Sequence, residues 1–433
     1  MHCFRQLRKT FPPRKFQAAI LFSLIAIFLG PWAATLAQEK PPEKPALEKP
    51  AQESPAPANP AKPNPQQEKP DESARTPLRI VWVGDIVMEV AWRQPAVPPQ
   101  LLFDGVRDLL RTYDLVIGNL ESPLTSFPDP TPHKDKAAIE SGRDVIIRVR
   151  SPGAAQALHD GGIQVAALAN NHTMDYTEEG LLDTFARLRA AGVLFAGAGK
   201  NLAEAEAPLI IEKKGRRIGI LSFSDVVPKY AWAEPDRPGI ATAKETAPLL
   251  AAVRRARPQV DILIVVLHWG VQFDREPSDR QKSLALEAQR AGADLILGAH
   301  PHVLQGVGCL GRVPVVYSAG NFLFPTSSLP TRRSAIFEFD FPARVSNAAE
   351  PAPIAQAPPV AEAPAAQALP VTQAAPVVRL VPVLIDERGA PQLARDDVRA
   401  DILTDMAQLS SPLGLRLDGG AGTCSSAPAP AGA

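Results

Sequence analysis

The chain has 433 residues, enough for two average domains or one large one. Lys plus Arg and Asp plus Glu both number 46, a balance that argues against a general nucleic-acid or polyanion binder. The three cysteines, Cys3, Cys309 and Cys424, lie far apart with no Cys-x-x-Cys pair, which argues against a disulfide framework or a thiolate zinc site and leaves the redox compartment open.

Residues 1–15 hold Arg5, Arg8, Lys9, Arg14 and Lys15 and no acid. An apolar stretch over 18–30 follows, then Pro31 and small residues ending Thr35-Leu36-Ala37. A basic start, an apolar core and a small-residue end have the layout of a secretory signal cleaved after Ala37. Left uncleaved, 16–37 is long enough to cross a membrane as an anchor. Either outcome makes the rest of the chain extracytoplasmic: periplasmic, secreted or held to the membrane by its N-terminus. Residues 38–77 are rich in Pro, Glu, Lys and Ala with almost no large apolar side chain. They cannot offset the entropy of ordering and read as an extended spacer.

The folded part is expected over 78–416. Strands are predicted at 78–83, 114–117, 145–149, 164–168, 261–267, 294–297 and 313–317, with a hairpin over 210–222 turning at Lys214-Gly215. Helices are predicted at 101–111, 154–160, 177–191, 246–257 and 279–291. Apolar strands alternating with such helices indicate an α/β domain whose sheets are largely covered. Residues 334–341 and 377–385 read as the arms of one β-hairpin, its tip filled by a disordered Ala/Pro insertion over 343–376. Residues 417–433, Cys424 among them, read as an unstructured tail.

Five predicted strands end in polar residues of one chemical kind. Asp85 follows the first; Asn119 and Glu121 follow the second; Asn170, Asn171 and His172 follow a third; His268 follows a fourth; His300 and His302 follow a fifth. In α/β sheets, ligand groups gather beyond the carboxyl ends of the strands. Carboxylate, amide and imidazole are oxygen and nitrogen ligands for Mn, Fe or Zn. Pro301 fixes its own φ and biases His300 toward an extended conformation, so both imidazoles are expected on a stiff turn. Each residue alone has a plainer reading, as a cap, a turn group or a packed core histidine. All five plain readings must hold together for the site to vanish.

Other signals are weaker. Gly197-Ala198-Gly199-Lys200 lacks phosphate-loop spacing, and Ser222 and Ser224 have no His/Asp grouping nearby. Arg332 and Arg333 read as a solvated strand edge or as groups that bind an anionic substrate beside the site. His2, His133 and His159 follow no such strand.

Taken in order, Gly84-Asp85, Gly118-Asn119-Leu120-Glu121, Ala169-Asn170-Asn171-His172-Thr173-Met174-Asp175, His268-Trp269-Gly270, Gly298-Ala299-His300-Pro301-His302 and Gly320-Asn321 resemble the CapA family. These are poly-γ-glutamate capsule synthesis proteins within the calcineurin-like metallophosphoesterase superfamily. The resemblance implies a four-layer α/β/β/α sandwich with one or two divalent metals, Mn, Fe or Zn, in a cleft between two sheets. It implies Asp85 and His302 on one metal, Asn171, His268 and His300 on the other, and Glu121 bridging. His172 matches the histidine that protonates the leaving group, with Asn119, Asn170, Asp175 and Asn321 in support. The superfamily's first strand ends Asp-x-His, whereas Val87 stands here and removes one ligand; Glu121 stands where an Asp bridges. The implied activity is metal-dependent hydrolysis of an anionic polymer or a phosphoester, with membrane-bound polymer synthase components as partners and no nucleic acid. The alternative is a non-catalytic, membrane-anchored accessory of polymer synthesis or export.

Overall fold

Alternation along the strands sets the layers. In β1 (Leu78–Ile86), Ile80 and Trp82 pack toward one side while Val81 and Val83 pack toward the other, as a period of two requires. The computed structural model describes residues 76–90, 97–343 and 374–425. The expected signal or anchor, nearly all of the spacer and of the Ala/Pro insertion, and residues 426–433 lie outside them.

From β1 the chain builds a parallel run through β2 (Leu115–Leu120), β3 (Val165–Ala167) and β4 (Leu194–Ala196). It then forms a second sheet from β5 (Leu209–Lys213), β6 (Arg216–Ser224), β7 (Ile262–His268), β8 (Leu295–Ala299), β9 (Val307–Leu310) and β10 (Val313–Val316). Their order is β9-β10-β8-β7-β6-β5, and β6, β7, β8 and β10 run parallel. Returning to the first sheet, β11 (Asn321–Leu323) lies parallel to β1. The arms β12 (Arg333–Phe341) and β13 (Val377–Ile385) pair antiparallel, so the expected hairpin forms across the insertion.

Helices α1 (Ala154–Asp160) and α2 (Thr177–Ala190) cover the first sheet through Leu158, Leu181, Phe185 and Leu188. Helices α3 (Thr246–Ala256) and α4 (Asp279–Ala291) cover the second through Leu249, Val253, Leu284 and Ala288. Between the sheets, Ile80, Trp82 and Ile117 meet Ile220, Ile264 and Leu297. The layers therefore run α/β/β/α, the arrangement the resemblance implies. Strands buried on both faces have no polar side, hence their nearly continuous apolar runs. Trp82 Nε1 donates to Gly298 O at 3.2 Å and ties the sheets together just below the strand ends. Among the described residues no helix is long and apolar enough to cross a membrane.

Three expectations need correction. The helix expected over 101–111 is a 3-10 turn at Pro99–Leu101 and a short helix at Arg107–Leu110. Between them Gly105 lies so close to Gln392 that a Cβ would stand 2.2 Å from its side chain. Residues 145–149 form no ladder beyond one bridge from Val149 to Leu124, because Ile147 N donates to Asp175 and Val145 O accepts from Lys134. The tail expected to be unstructured from 417 carries a strand: after β14 (Pro391–Leu393) and helix α5 (Asp396–Ser410), β15 (Ala421–Thr423) pairs with β13.

That last pairing brings Cys424, almost fully buried, to Cys309 in β9, and the two form a disulfide across 115 residues of sequence. The spacing argument failed because the return of the chain through β13, not local sequence, joins the cysteines. Closing so long a loop restricts the unfolded chain, and Cys424→Ser is expected to cost roughly 3 kcal/mol. Urea unfolding of the two proteins checks this, and coincident midpoints count against a stabilising bridge.

Candidate metal centre

Every side chain of the cluster stands at the carboxyl end of a strand or in the turn just beyond it, except Asn321, which opens β11. Asp85 is in β1 between two neighbours of the same sheet, in register with Asn119 of β2 and Asn321 of β11. Gly84 makes the β11 side possible: a Cβ there would lie 1.8 Å from Gly320 O, so only glycine allows the approach. Asn119 Nδ2 donates to Asp85 Oδ1 at 2.8 Å and fixes the carboxylate. Asn170 Oδ1 accepts from the N–H groups of His172 (3.2 Å) and Thr173 (3.0 Å), holding the turn that presents Asn171 and His172.

The turn beyond β8 is more strained than proline chemistry alone suggests. His300 has φ +99° and His302 φ +59°, so the residue before Pro301 is not extended as expected. Such conformations cost about 1–3 kcal/mol each in non-glycine residues and gather at ligand sites. Here they turn both imidazoles back over the strand ends, where His300 N–H reaches Asp85 Oδ2 at 3.4 Å.

The nitrogen and oxygen atoms converge on Glu121. His268 Nε2 lies 2.7 Å from Asn171 Oδ1, 3.2 Å from His300 Nδ1 and 3.4 Å from Glu121 Oε1. On the other flank, His302 Nδ1 lies 2.9 Å from Asn321 Oδ1 and 3.1 Å from Asp85 Oδ2, with Nε2 at 3.9 Å from Glu121 Oε1. Two groups of potential ligands result, Glu121 with His268 and His300, and Asp85 with Glu121 and His302. Glu121 belongs to both.

The residues fit a divalent metal. Both Glu121 oxygens are buried and neither has a hydrogen-bond partner. A buried carboxylate in that state is costly unless a cation answers it. Burial opposes charge on Glu121, yet the His302 and His268 imidazoles together outweigh it and hold the carboxyl well below its usual range. Burial and then the Glu121 charge hold Asp85 above the carboxylate range. Burial also opposes charge on His302, but Glu121 and Asp85 overcome it and lift His302 to about 9. Burial, with His268 and His302 beside it, keeps His300 well below the usual imidazole range and so neutral, its lone pair free to ligate. Oxygen and nitrogen donors without sulfur suit Mn, Fe or Zn.

His172 stands beside the cluster and is held by a network of its own. Its Nδ1 is 2.8 Å from Asp175 Oδ2, and Asp175 Oδ1 pairs with Lys134 Nζ at 2.7 Å. Lys134 Nζ also donates to Val145 O at 2.6 Å and lies 3.3 Å from His172 Nδ1. All three side chains are buried. Lys134 is the residue that reasoning from strand ends missed. It follows no strand and carries no motif, coming from the proline- and charge-rich loop after β2.

Of the remaining candidates, Arg332 and Arg333 do not reach the cluster. Arg332 Nε donates to Ile385 O at 2.7 Å, and Arg333 pairs with Asp401 of α5 at 3.2 Å. Val87, two residues after Asp85, is fully buried in a small apolar group with Val90 and Ile147, so hydrocarbon fills that position.

Residues 79–326, which contain the whole cluster, match the family described as bacterial capsule synthesis protein PGA_cap. The chain belongs to this family. It is 31% identical over 278 residues to the PGA biosynthesis protein CapA of Bacillus subtilis (strain 168), covering 63% of this chain and 70% of that one. The capsule biosynthesis protein CapA of Bacillus anthracis is likewise 31% identical over 271 residues, covering 60% of this chain and 63% of that one. Among solved structures, the NAD nucleotidase of Haemophilus influenzae overlaps 76% of this chain and 63% of its own, with a TM-score of 0.38 and 14% identity. The family member therefore carries the whole strand-end cluster inside the matched region.

Proposed function

We propose that this family member is an extracytoplasmic, metal-dependent hydrolase of capsule polymer synthesis, acting on bonds of an anionic polymer or on phosphoesters. The observation that carries the reading is Glu121, buried without a hydrogen bond and shared by two groups of imidazole and carboxylate ligands. Asn171, Glu121, His268 and His300 would hold one divalent ion, and Asp85, Glu121 and His302 a second. Such an ion supplies Lewis acidity and lowers the pKa of a bound water toward neutrality. His172 has its Nδ1 engaged by Asp175, which leaves Nε2 to deliver a proton to the departing group. The site's burial limits competing water and strengthens each charge interaction.

The Cys309–Cys424 disulfide supports the location, since such bonds persist in oxidising compartments. The basic and apolar layout of residues 1–37 points the same way. The family's place in capsule synthesis supports association with polymer and with membrane-bound synthase components.

Metal analysis of the purified full chain, followed by hydrolysis assays on poly-γ-glutamate and on phosphoesters, tests the reading. Bound transition metal with metal-dependent turnover is expected. A protein that binds none defeats the reading. Apolar Val87 favours a second reading, a polymer-binding accessory without turnover, and a metal-loaded protein inert on both substrate classes selects it.

A further inference from the structure

Immediately after the buried Trp269, residues 270–276 form a loop pinned from beneath while Val271 and Phe273 face outward. Gly270 has φ +89°, and a Cβ there would press on the Gln281 side chain at 2.7 Å. Gln281 Nε2 donates to Gln305 Oε1 at 2.9 Å, and Gln305 Nε2 donates in turn to Asp274 O (2.9 Å) and Glu276 O (3.2 Å). Both glutamines are fully buried. Phe273 N–H donates to Pro301 O at 2.8 Å, which joins the loop to the turn carrying His300 and His302.

A loop held by that many polar contacts has the means to bury its large side chains, yet Val271 is 55% and Phe273 51% exposed. Phe273 also has φ +67°, a conformation worth about 1–3 kcal/mol of strain for a non-glycine residue. Its ring centroid is 6.1 Å from that of His302, and the ring of Phe324 stands 5.2 Å from the same imidazole. Two aromatic rings thus border one candidate ligand, and one of them is half open to solvent on a rigid support. Exposed apolar surface beside a polar cleft marks a contact site, and a preorganised ring loses little entropy when it binds.

We propose that Phe273 is a specificity-determining residue that packs against an apolar group, alkyl or aryl, next to the reacting centre of the substrate. This rests on the hydrolase reading, which places an anionic or carbonyl centre at Glu121, His268 and His302. The loop would set which substrates dwell beside Glu121, His268 and His302.

Calorimetric binding to the Mn²⁺-loaded full chain separates the two ideas, using phenylphosphonate and methylphosphonate as probes that are not hydrolysed. The wild type is expected to bind phenylphosphonate about tenfold more tightly, a difference of about 1.4 kcal/mol. Phe273→Ala should reduce the ratio to near one while leaving methylphosphonate affinity and metal content unchanged, and Phe273→Leu should keep part of it. Folding is not at stake, because half of the residue lies in solvent. A wild-type ratio near one, or a ratio untouched by Phe273→Ala, overturns the aromatic contact and leaves the hydrolase reading standing. Binding of neither phosphonate overturns the aromatic contact, while metal content and the hydrolysis assays decide the hydrolase reading separately.

Discussion

Glu121→Gln is expected to strip metal from the whole cluster and to lower metal-dependent turnover by at least about 10³-fold, since Lewis-acid stabilisation is worth several kcal/mol and each 1.36 kcal/mol is a factor of ten. The change keeps volume and shape and removes only the charge. Its leverage comes from position: Glu121 alone belongs to both ligand groups. Asp85→Asn touches one group and should leave roughly half of any two-metal content. Protein stability separates metal loss from misfolding. The carboxylate makes no hydrogen bond, so the metal-free variant loses only its charge interactions with His268 and His302. A bound ion at 100 times its Kd stabilises the wild type by about 2.7 kcal/mol, and this increment should be missing from Glu121→Gln. Elemental analysis and thermal unfolding with and without Mn²⁺ measure both. A variant with full metal content and rate shows that Glu121 is not the shared ligand.

Much of this site was legible because strands buried on both faces announce themselves, and because their carboxyl ends are where an α/β sheet gathers ligands. The runs before Asp85, Glu121, Asn171, His268 and His300 each form or adjoin a strand of one of the two sheets. What stayed hidden depends on neighbours distant in sequence. Cys309 and Cys424 meet only because β15 adds to β13. Residues 145–149 have the β-branched, apolar composition of a strand, but their backbone groups serve Asp175 and Lys134 instead of a ladder. Local preference before Pro301 yields at His300, where tertiary contacts hold a positive φ. Lys134 left no trace in the sequence because a buried lysine is decided by its partners.

Lys134→Met is the informative companion to His172→Ala. Loss of a general acid costs about 10²- to 10⁴-fold, and His172→Ala should set that floor. Lys134 does not reach the cluster; it pairs with Asp175, which orients the imidazole, and lies 3.3 Å from His172 Nδ1. Removing a partner that orients a functional imidazole is typically worth about 10- to 100-fold in activity, so Lys134→Met should fall between wild type and His172→Ala. It should also destabilise the fold by roughly 3–5 kcal/mol, because Asp175 would then be a buried carboxylate without its cation. The double variant Lys134→Met/Asp175→Asn removes both charges and should recover most of that stability. It should not recover the rate, since His172 would still lack the carboxylate on its Nδ1. Stability and rate therefore move apart in the double variant, which a merely structural lysine would not produce. The rate loss should fall on kcat with KM nearly unchanged, and Lys134→Arg should restore part of it by keeping the ion pair. If Lys134→Met lowers Tm but turns over like wild type, the lysine only ties the loop to Asp175.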